Sequence, residues 1–319
     1  MEKVKRKMNW WKIIAIVLIV IFAGMLLLKG CGKALSKSQS VPEDYTTKVS
    51  TGAELEAKYL AMGSHDVSYI EYGALMSFEK YEIYYPSDIA EMEGTLPAVI
   101  FVNGTGVAGS KYQALQKHMA SWGFITVATE EAHAWNGFSA EMSVRMLEML
   151  NGLEGKYMDK DNVLYGKVDV DNIGITGHSQ GGYGVVNAIT DQKNKESYKA
   201  AVILSSAPYS ENNDFMWEAD PSLIQAPTLL LSSTGNFDAA VAPMESLQRV
   251  YDSIPDGVSK VLARRNAGDH GEMLYYGDGY VTAWFMYWLQ DDAVAGEAFF
   301  GENAEVASNT NWQDVQKNK

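Results

Sequence analysis

The chain has 319 residues, 47% of them hydrophobic, enough for the core of one large domain once an N-terminal segment is set aside. Its formal charge is −14, yet residues 1–30 carry six basic side chains against one acidic, a local +5 that leaves −19 on the remainder. A body that acidic argues against nucleic acid, whose phosphates need basic partners, and the single cysteine, Cys31, excludes an internal disulfide.

Residues 1–12 are the basic segment, with Lys3, Lys5, Arg6, Lys7 and Lys12. Ile13 to Leu28 is a run of 16 uncharged, almost wholly apolar residues. As a helix at ~1.5 Å per residue it spans ~24 Å, against ~30 Å of bilayer hydrocarbon. Trp10 and Trp11 on one side, with Lys12 and Lys29 at the ends, suit a membrane interface. By the positive-inside rule the run predicts a single-pass signal anchor over 13–29 with the body extracytoplasmic. Two other readings also export the body: a lipoprotein anchored at Cys31, and a cleaved signal. Residues 30–52 are polar and aperiodic and read as a tether. The domain is expected over 53–300, with 301–319 as a C-terminal tail.

From residue 53 onward helices and strands alternate, which predicts an α/β fold with a mainly parallel sheet covered on both faces. A short helix is expected over Ala53–Ala61, then strands Val67–Tyr72 and Tyr81–Tyr85 as an antiparallel edge. The continuous apolar run Ala98–Val102 reads as a buried parallel strand, followed by a helix over Lys111–Trp122 and a strand over Phe124–Ala128. An amphipathic helix follows over Ser139–Leu153, with Ser139 as a candidate cap. Next come strand Val170–Thr176, helix Gly182–Ile189, strands Ala200–Leu204, Thr228–Leu231 and Lys260–Ala263, and a closing aromatic-rich helix over Tyr280–Leu289.

The chemistry is expected at the C-terminal edge of that sheet. Between strand Ile173–Thr176 and the next helix lies Gly177-His178-Ser179-Gln180-Gly181-Gly182, a G-x-S-x-G turn in strand–turn–helix context. Ser179 is the candidate nucleophile. It needs a general base, most often histidine. Of five histidines, His65 precedes the first strand, His118 is placed on a surface helix, His133 precedes the serine in the chain, and His178 points away from it. His270, in Gly268-Asp269-His270-Gly271 after the last strand, fits the order Ser…Asp…His. The orienting carboxylate is expected to be Asp238, after strand Thr228–Leu231, with Asp214 as competitor. The backbone N–H groups of Gln180 and Thr105, the latter in Asn103-Gly104-Thr105-Gly106, are the candidate oxyanion donors. Residues 209–222 form a long stretch where a substrate rim would sit, with Phe215, Met216 and Trp217 as candidate lining. Asp159-Lys160-Asp161-Asn162 lacks the glycine and terminal glutamate of a calcium loop, and Glu131 with His133 is too sparse for zinc, so no metal is expected.

With these residues in place, the domain resembles the cutinase-like and dienelactone-hydrolase-like branch of the α/β-hydrolases, which includes bacterial polyester hydrolases and the platelet-activating-factor acetylhydrolase type. The resemblance is carried by Ile83-Tyr84-Tyr85-Pro86, Asn103-Gly104-Thr105, Ser121-Trp122-Gly123-Phe124 and Val168-Asp169-Val170-Asp171. It continues through the Ser179 turn, Pro227-Thr228-Leu229-Leu230 with Asp238 and Pro243, Asp269-His270-Gly271 and Ala283-Trp284. It implies carboxyl-ester hydrolysis through an acyl-enzyme, without metal or organic cofactor, on a small-molecule or lipid-like ester. Polyester hydrolases usually carry methionine where Gln180 stands and an aromatic residue where Thr105 stands. They also have a tryptophan after the strand that here ends Ile203-Leu204-Ser205-Ser206-Ala207-Pro208, and a cysteine pair near the C-terminus. Those departures argue against a polymer as natural substrate. An acyltransferase or peptidase on the same triad, and a non-catalytic hydrolase-fold binding module, are the alternatives.

Overall fold

The computed structural model describes residues 40–319 apart from 75, 153–160 and 209–216. The expected anchor over 13–29, Cys31 and the first part of the tether lie outside the described residues. Among the described residues no helix is long and apolar enough to cross a membrane.

Nine strands form one sheet: β1 (Val67–Gly73), β2 (Lys80–Pro86), β3 (Leu96–Val102), β4 (Ile125–Thr129), β5 (Val168–His178), β6 (Tyr198–Leu204), β7 (Thr228–Ser233), β8 (Lys260–Arg265) and β9 (Trp312–Lys317). Their spatial order is β1-β2-β4-β3-β5-β6-β7-β8-β9. From β4 to β8 every pairing is parallel, while β1, β2 and β9 pair antiparallel at the two sides. The helices are α1 (Tyr45–Lys48), α2 (Glu54–Leu60), α3 (Gln113–Ser121), α4 (Phe138–Leu150), α5 (Gln180–Thr190), α6 (Asn236–Val241), α7 (Met244–Ser253), α8 (Met273–Tyr276), α9 (Asp278–Gln290), α10 (Ala293–Gly296) and α11 (Glu305–Ser308).

Side chains on a strand point alternately to opposite faces, and the continuous apolar runs serve both. On β3, Ala98, Ile100 and Val102 join the core under α4, α5 and α7, whereas Val99 turns to the core under α2, α3 and α9. On β6, Ala201 and Ile203 face the first core, and Ala200, Val202 and Leu204 the second. Helix α9 is buried over most of its surface, with Tyr280, Trp284 and Phe285 fully enclosed, which accounts for its lack of a polar stripe.

The domain is longer at both ends than the sequence predicts. Val41–Lys319 is one compact unit, so its start falls within the expected tether. There Val41 and Tyr45 are buried, and the Val41 N–H donates to the Lys111 carbonyl at 3.1 Å. The residues read as a tail supply α11 and edge strand β9, anchored by the buried Trp312. Both ends converge on buried Glu56. Its Oε1 accepts from Trp312 Nε1 at 2.8 Å and Arg265 at 3.0 Å, and its Oε2 from Gly52 N at 2.7 Å and Asn309 Nδ2 at 2.9 Å. A carboxylate can be buried on such terms because its charge is paired and its lone pairs are occupied.

Two local expectations are corrected. The residue before α4 is Gly137, at φ +73°, and Ser139 lies inside the helix without capping it. His118 is buried, because α3 turns that face toward α9: its Nδ1 sits 2.6 Å from Asp278 Oδ2, and its Nε2 2.8 Å from the Ala61 carbonyl. Tyr45 Oη donates to the same Asp278 oxygen at 2.5 Å.

Candidate active site

Strand β5 runs straight into the turn that carries Ser179. Ser179 sits at φ +56°, ψ −123°, a strained backbone for a side-chain-bearing residue, and is half-buried. Helix α5 begins at the next residue. The turn closes only because two neighbours lack a Cβ: one added at Gly177 would lie 2.3 Å from the Gly181 carbonyl oxygen, and one at Gly181 would lie 2.2 Å from that of Val102. The Ser179 N–H is tied to the Leu204 carbonyl at 3.0 Å. The Gln180 N–H is the first of α5, so it has no carbonyl partner within the helix and points where the dipole favours negative charge.

Asp238 and His270 come from neighbouring strand ends, one in α6 after β7 and the other in the loop after β8. His270 Nδ1 lies 2.7 Å from Asp238 Oδ1. Asp238 is fully buried, and its Oδ2 accepts from the Ser233 N–H at 2.5 Å. Burial alone would raise its pKa. Contacts with His270, the Ser205 side chain and the Ser233 N–H together outweigh burial and hold the carboxyl below its usual value, so it is ionised at neutral pH. An ionised Asp238 selects the His270 tautomer with its proton on Nδ1, which leaves Nε2 free as a base. Asp269 instead accepts from the His270 N–H at 2.7 Å, and Asp214 lies outside the described residues.

The turn after β3 is fastened from below. Asn103 Nδ2 donates to the carbonyls of Thr129 at 2.6 Å and Glu131 at 2.7 Å, and the Gly104 N–H donates to the buried Tyr112 hydroxyl at 3.1 Å. Gly106 N–H reaches the Ala132 carbonyl at 2.9 Å. Thr105, between these tied residues, is exposed.

Of the expected rim, Phe215 and Met216 lie outside the described residues. Trp217 packs edge-on against Tyr183 of α5, ring centroids 5.5 Å apart. Asn187, one turn further along α5, donates to the carbonyls of Trp135 at 2.9 Å and Glu218 at 2.8 Å, joining the loops after β4 and β6. Phe237 was not singled out by sequence, although it directly precedes Asp238. It is 60% exposed and stands edge-on to the His270 ring at 5.4 Å, an apolar surface left open beside the imidazole. Of the other histidines, His178 lies beside the base, ring centroids 4.4 Å apart. His65 contacts Asp88 at 3.1 Å and His133 is exposed, while His178 Nε2 donates to the His270 carbonyl at 2.7 Å.

A mainly parallel sheet with helices on both faces, a strained serine between strand and helix, and a paired Asp and His beyond the ends of two later strands define an α/β-hydrolase. The chain belongs to the PET hydrolase-like family, whose model matches residues 46–318. It is similar to the bis(hydroxyethyl) terephthalate hydrolase of Streptomyces coelicolor (strain ATCC BAA-471 / A3(2) / M145), with 26% identity over 198 residues. That match covers 62% of this chain and 57% of the relative, so the chain spans little more than half the length of the protein it matches.

Proposed function

We propose that the protein is a serine carboxyl-ester hydrolase in which Ser179, His270 and Asp238 act as the catalytic triad. The observation that carries this reading is the 2.7 Å Asp238–His270 contact at the same sheet edge as the strained Ser179 turn. His270 Nε2 takes the Ser179 hydroxyl proton as Oγ attacks the ester carbonyl. The developing oxyanion is met by the N–H groups of Gln180 and Thr105. Collapse breaks the ester C–O bond, the leaving alkoxide takes the proton from His270, and an acyl-Ser179 remains. Water then repeats the sequence, giving its proton to His270 and its oxygen to the acid product, and Ser179 is regenerated. Asp238 keeps the imidazole oriented and stabilises its charged form throughout.

The substrate we propose is a small ester rather than a polymer. The substrate in the relative's name is a small aromatic diester, and Phe237 offers an aromatic contact beside His270. The resemblance drawn from sequence puts Thr105 and Gln180 where polyester hydrolases usually carry an aromatic residue and methionine. Ser179→Ala should abolish hydrolysis of p-nitrophenyl esters and labelling by a fluorophosphonate while the protein stays folded; full activity in that variant would sink the assignment. Rates across p-nitrophenyl esters of increasing chain length would then define the acyl group.

The enzyme is proposed to work outside the cytoplasm, tethered by a helix over 13–29. Support comes from the 16-residue apolar run and the basic residues before it. Membrane fractionation, with protease added to intact and opened cells, tests this. Activity in the soluble fraction would refute a retained anchor.

A further inference from the structure

We propose that His178 is a positioning residue that holds the His270 loop in register with the Ser179 turn, through the hydrogen bond its Nε2 gives the His270 carbonyl. The inference rests on the triad reading above, and its test separates the two.

His178 has the position for such a role. It is the last residue of β5, paired with Leu204 of β6, and its neighbour Gly177 pairs with Val102 of β3, so its backbone is held from both sides of the sheet. The ring is buried, 4.4 Å from the His270 ring between centroids. Its Nε2 lies 2.7 Å from the His270 carbonyl oxygen, and a carbonyl can only accept, so Nε2 carries the proton and Nδ1 the lone pair. That side of the residue faces the other loop: a Cβ added at Gly104 would meet the His178 carbonyl at 3.2 Å and Nδ1 at 3.6 Å. One side chain therefore lies between the turn holding Thr105 and the loop holding His270, on the strand that ends at Ser179.

Among the described residues, the other ties of the His270 loop run elsewhere than to the Ser179 turn. The His270 N–H bonds within its own segment, to Asp269, and the Asp269 N–H bonds to Glu272. Gly268 is fastened to the acid's side of the site by Ser233. The His178 bond connects the base directly to the residue next to the nucleophile. Proton transfer and attack both depend on sub-ångström placement, where a shift of ~1 Å can cost ~10²-fold in rate.

Histidine also serves here because it stays neutral. Burial, and then the nearby His270 charge, push its pKa down to about 3, against the smaller upward pull of its own hydrogen bond and Asp238. A permanently charged donor such as lysine would repel the imidazolium formed at His270 during the reaction. Neutral His178 supplies the donor without the charge.

The test uses the full chain and four variants: Ser179→Ala, His178→Phe, His178→Gln and His178→Asn. His178→Phe keeps a ring and removes the donor, and glutamine can place an N–H close to the Nε2 position. His178→Phe is expected to lower kcat by ~10- to 100-fold with KM changed by less than about threefold, and His178→Gln to recover much of that loss. Asparagine is too short to reach the carbonyl and should not recover it. Fluorophosphonate labelling rates should follow kcat in this series. If Ser179→Ala is inactive while His178→Phe keeps wild-type kcat, the positioning role falls and the triad stands. If Ser179→Ala stays active, both fall. If His178→Phe does not fold, glutamine above asparagine in kcat supports the role, and equal values overturn it.

Discussion

The hydroxyl of Ser233 donates to the Gly268 carbonyl at 2.7 Å, joining the end of the strand before Asp238 to the loop that presents His270. Ser233 is fully buried and also offers its N–H to Asp238, so acid and base share one scaffold residue. Ser233→Ala removes the hydroxyl and leaves the N–H. A loss of about 1 kcal/mol in stability is expected, as for one net hydrogen bond, with kcat reduced more than KM. Urea unfolding together with steady-state kinetics checks both, and a variant changed only in KM would contradict the scaffold role.

Phe237 bears on substrate rather than on stability. Because its ring is mostly exposed, Phe237→Ala should change stability by no more than about 0.5 kcal/mol. The KM for p-nitrophenyl benzoate should rise several-fold, on the order of the ~0.5–1.5 kcal/mol of an aromatic contact, while that for the acetate stays put. Equal effects on both esters would remove Phe237 from the acyl side.

Asp238 makes stability depend on acid pH. Its folded-state pKa is lowered, since contacts with His270, the Ser205 side chain and the Ser233 N–H together outweigh burial. Its contribution is therefore fully present above the unfolded value of ~3.9 and is lost as pH falls through the lower folded value. Asp238→Asn should flatten that acid limb and, by leaving the wrong histidine tautomer, reduce kcat by about 10⁴. Unfolding midpoints between about pH 1.5 and 6 for both proteins provide the comparison.

His118 has the opposite sign. Burial lowers its pKa, but the Asp278 carboxylate against its ring raises it further, and the net shift is upward. The stability it contributes is fully present below the unfolded value of ~6.5 and is lost as pH rises through the folded one. Asp278→Asn should remove the upward shift, leaving burial to favour the neutral ring, and cost ~3–5 kcal/mol, the penalty for breaking a buried pair. Thermal melts from about pH 5 to 9 read both effects.

What could be read from sequence was whatever is local. The parallel strands announce themselves as unbroken apolar runs, and the Ser179 turn by glycines that contact each other across four residues. Asp238 and His270 were expected because each follows a strand in the right order, and they lie in hydrogen-bond contact. The hidden features depend on distant partners. Strand β9, Trp-Gln-Asp-Val-Gln-Lys, looks like a polar tail because an edge strand needs to bury little besides Trp312. Tyr45 and His118 gain their meaning from Asp278, 233 residues beyond Tyr45. From sequence His178 is read only as pointing away from Ser179, because its partner is a backbone carbonyl 92 residues away, and backbone carbonyls leave no mark in a sequence.

The node at Glu56 also sets the order in which the domain can be completed. Glu56 lies in α2, but its partner Trp312 lies 256 residues further on, and Asn309 nearly as far. During synthesis the early segment must wait for almost the whole chain before its carboxylate finds these donors. A polypeptide arrested before residue 309 leaves the Glu56–Arg265 pair under-coordinated and the flank of β8 open. Such a fragment should be protease-sensitive at both ends together, because residues 309–317 close the Glu56 site and cover the edge of β8.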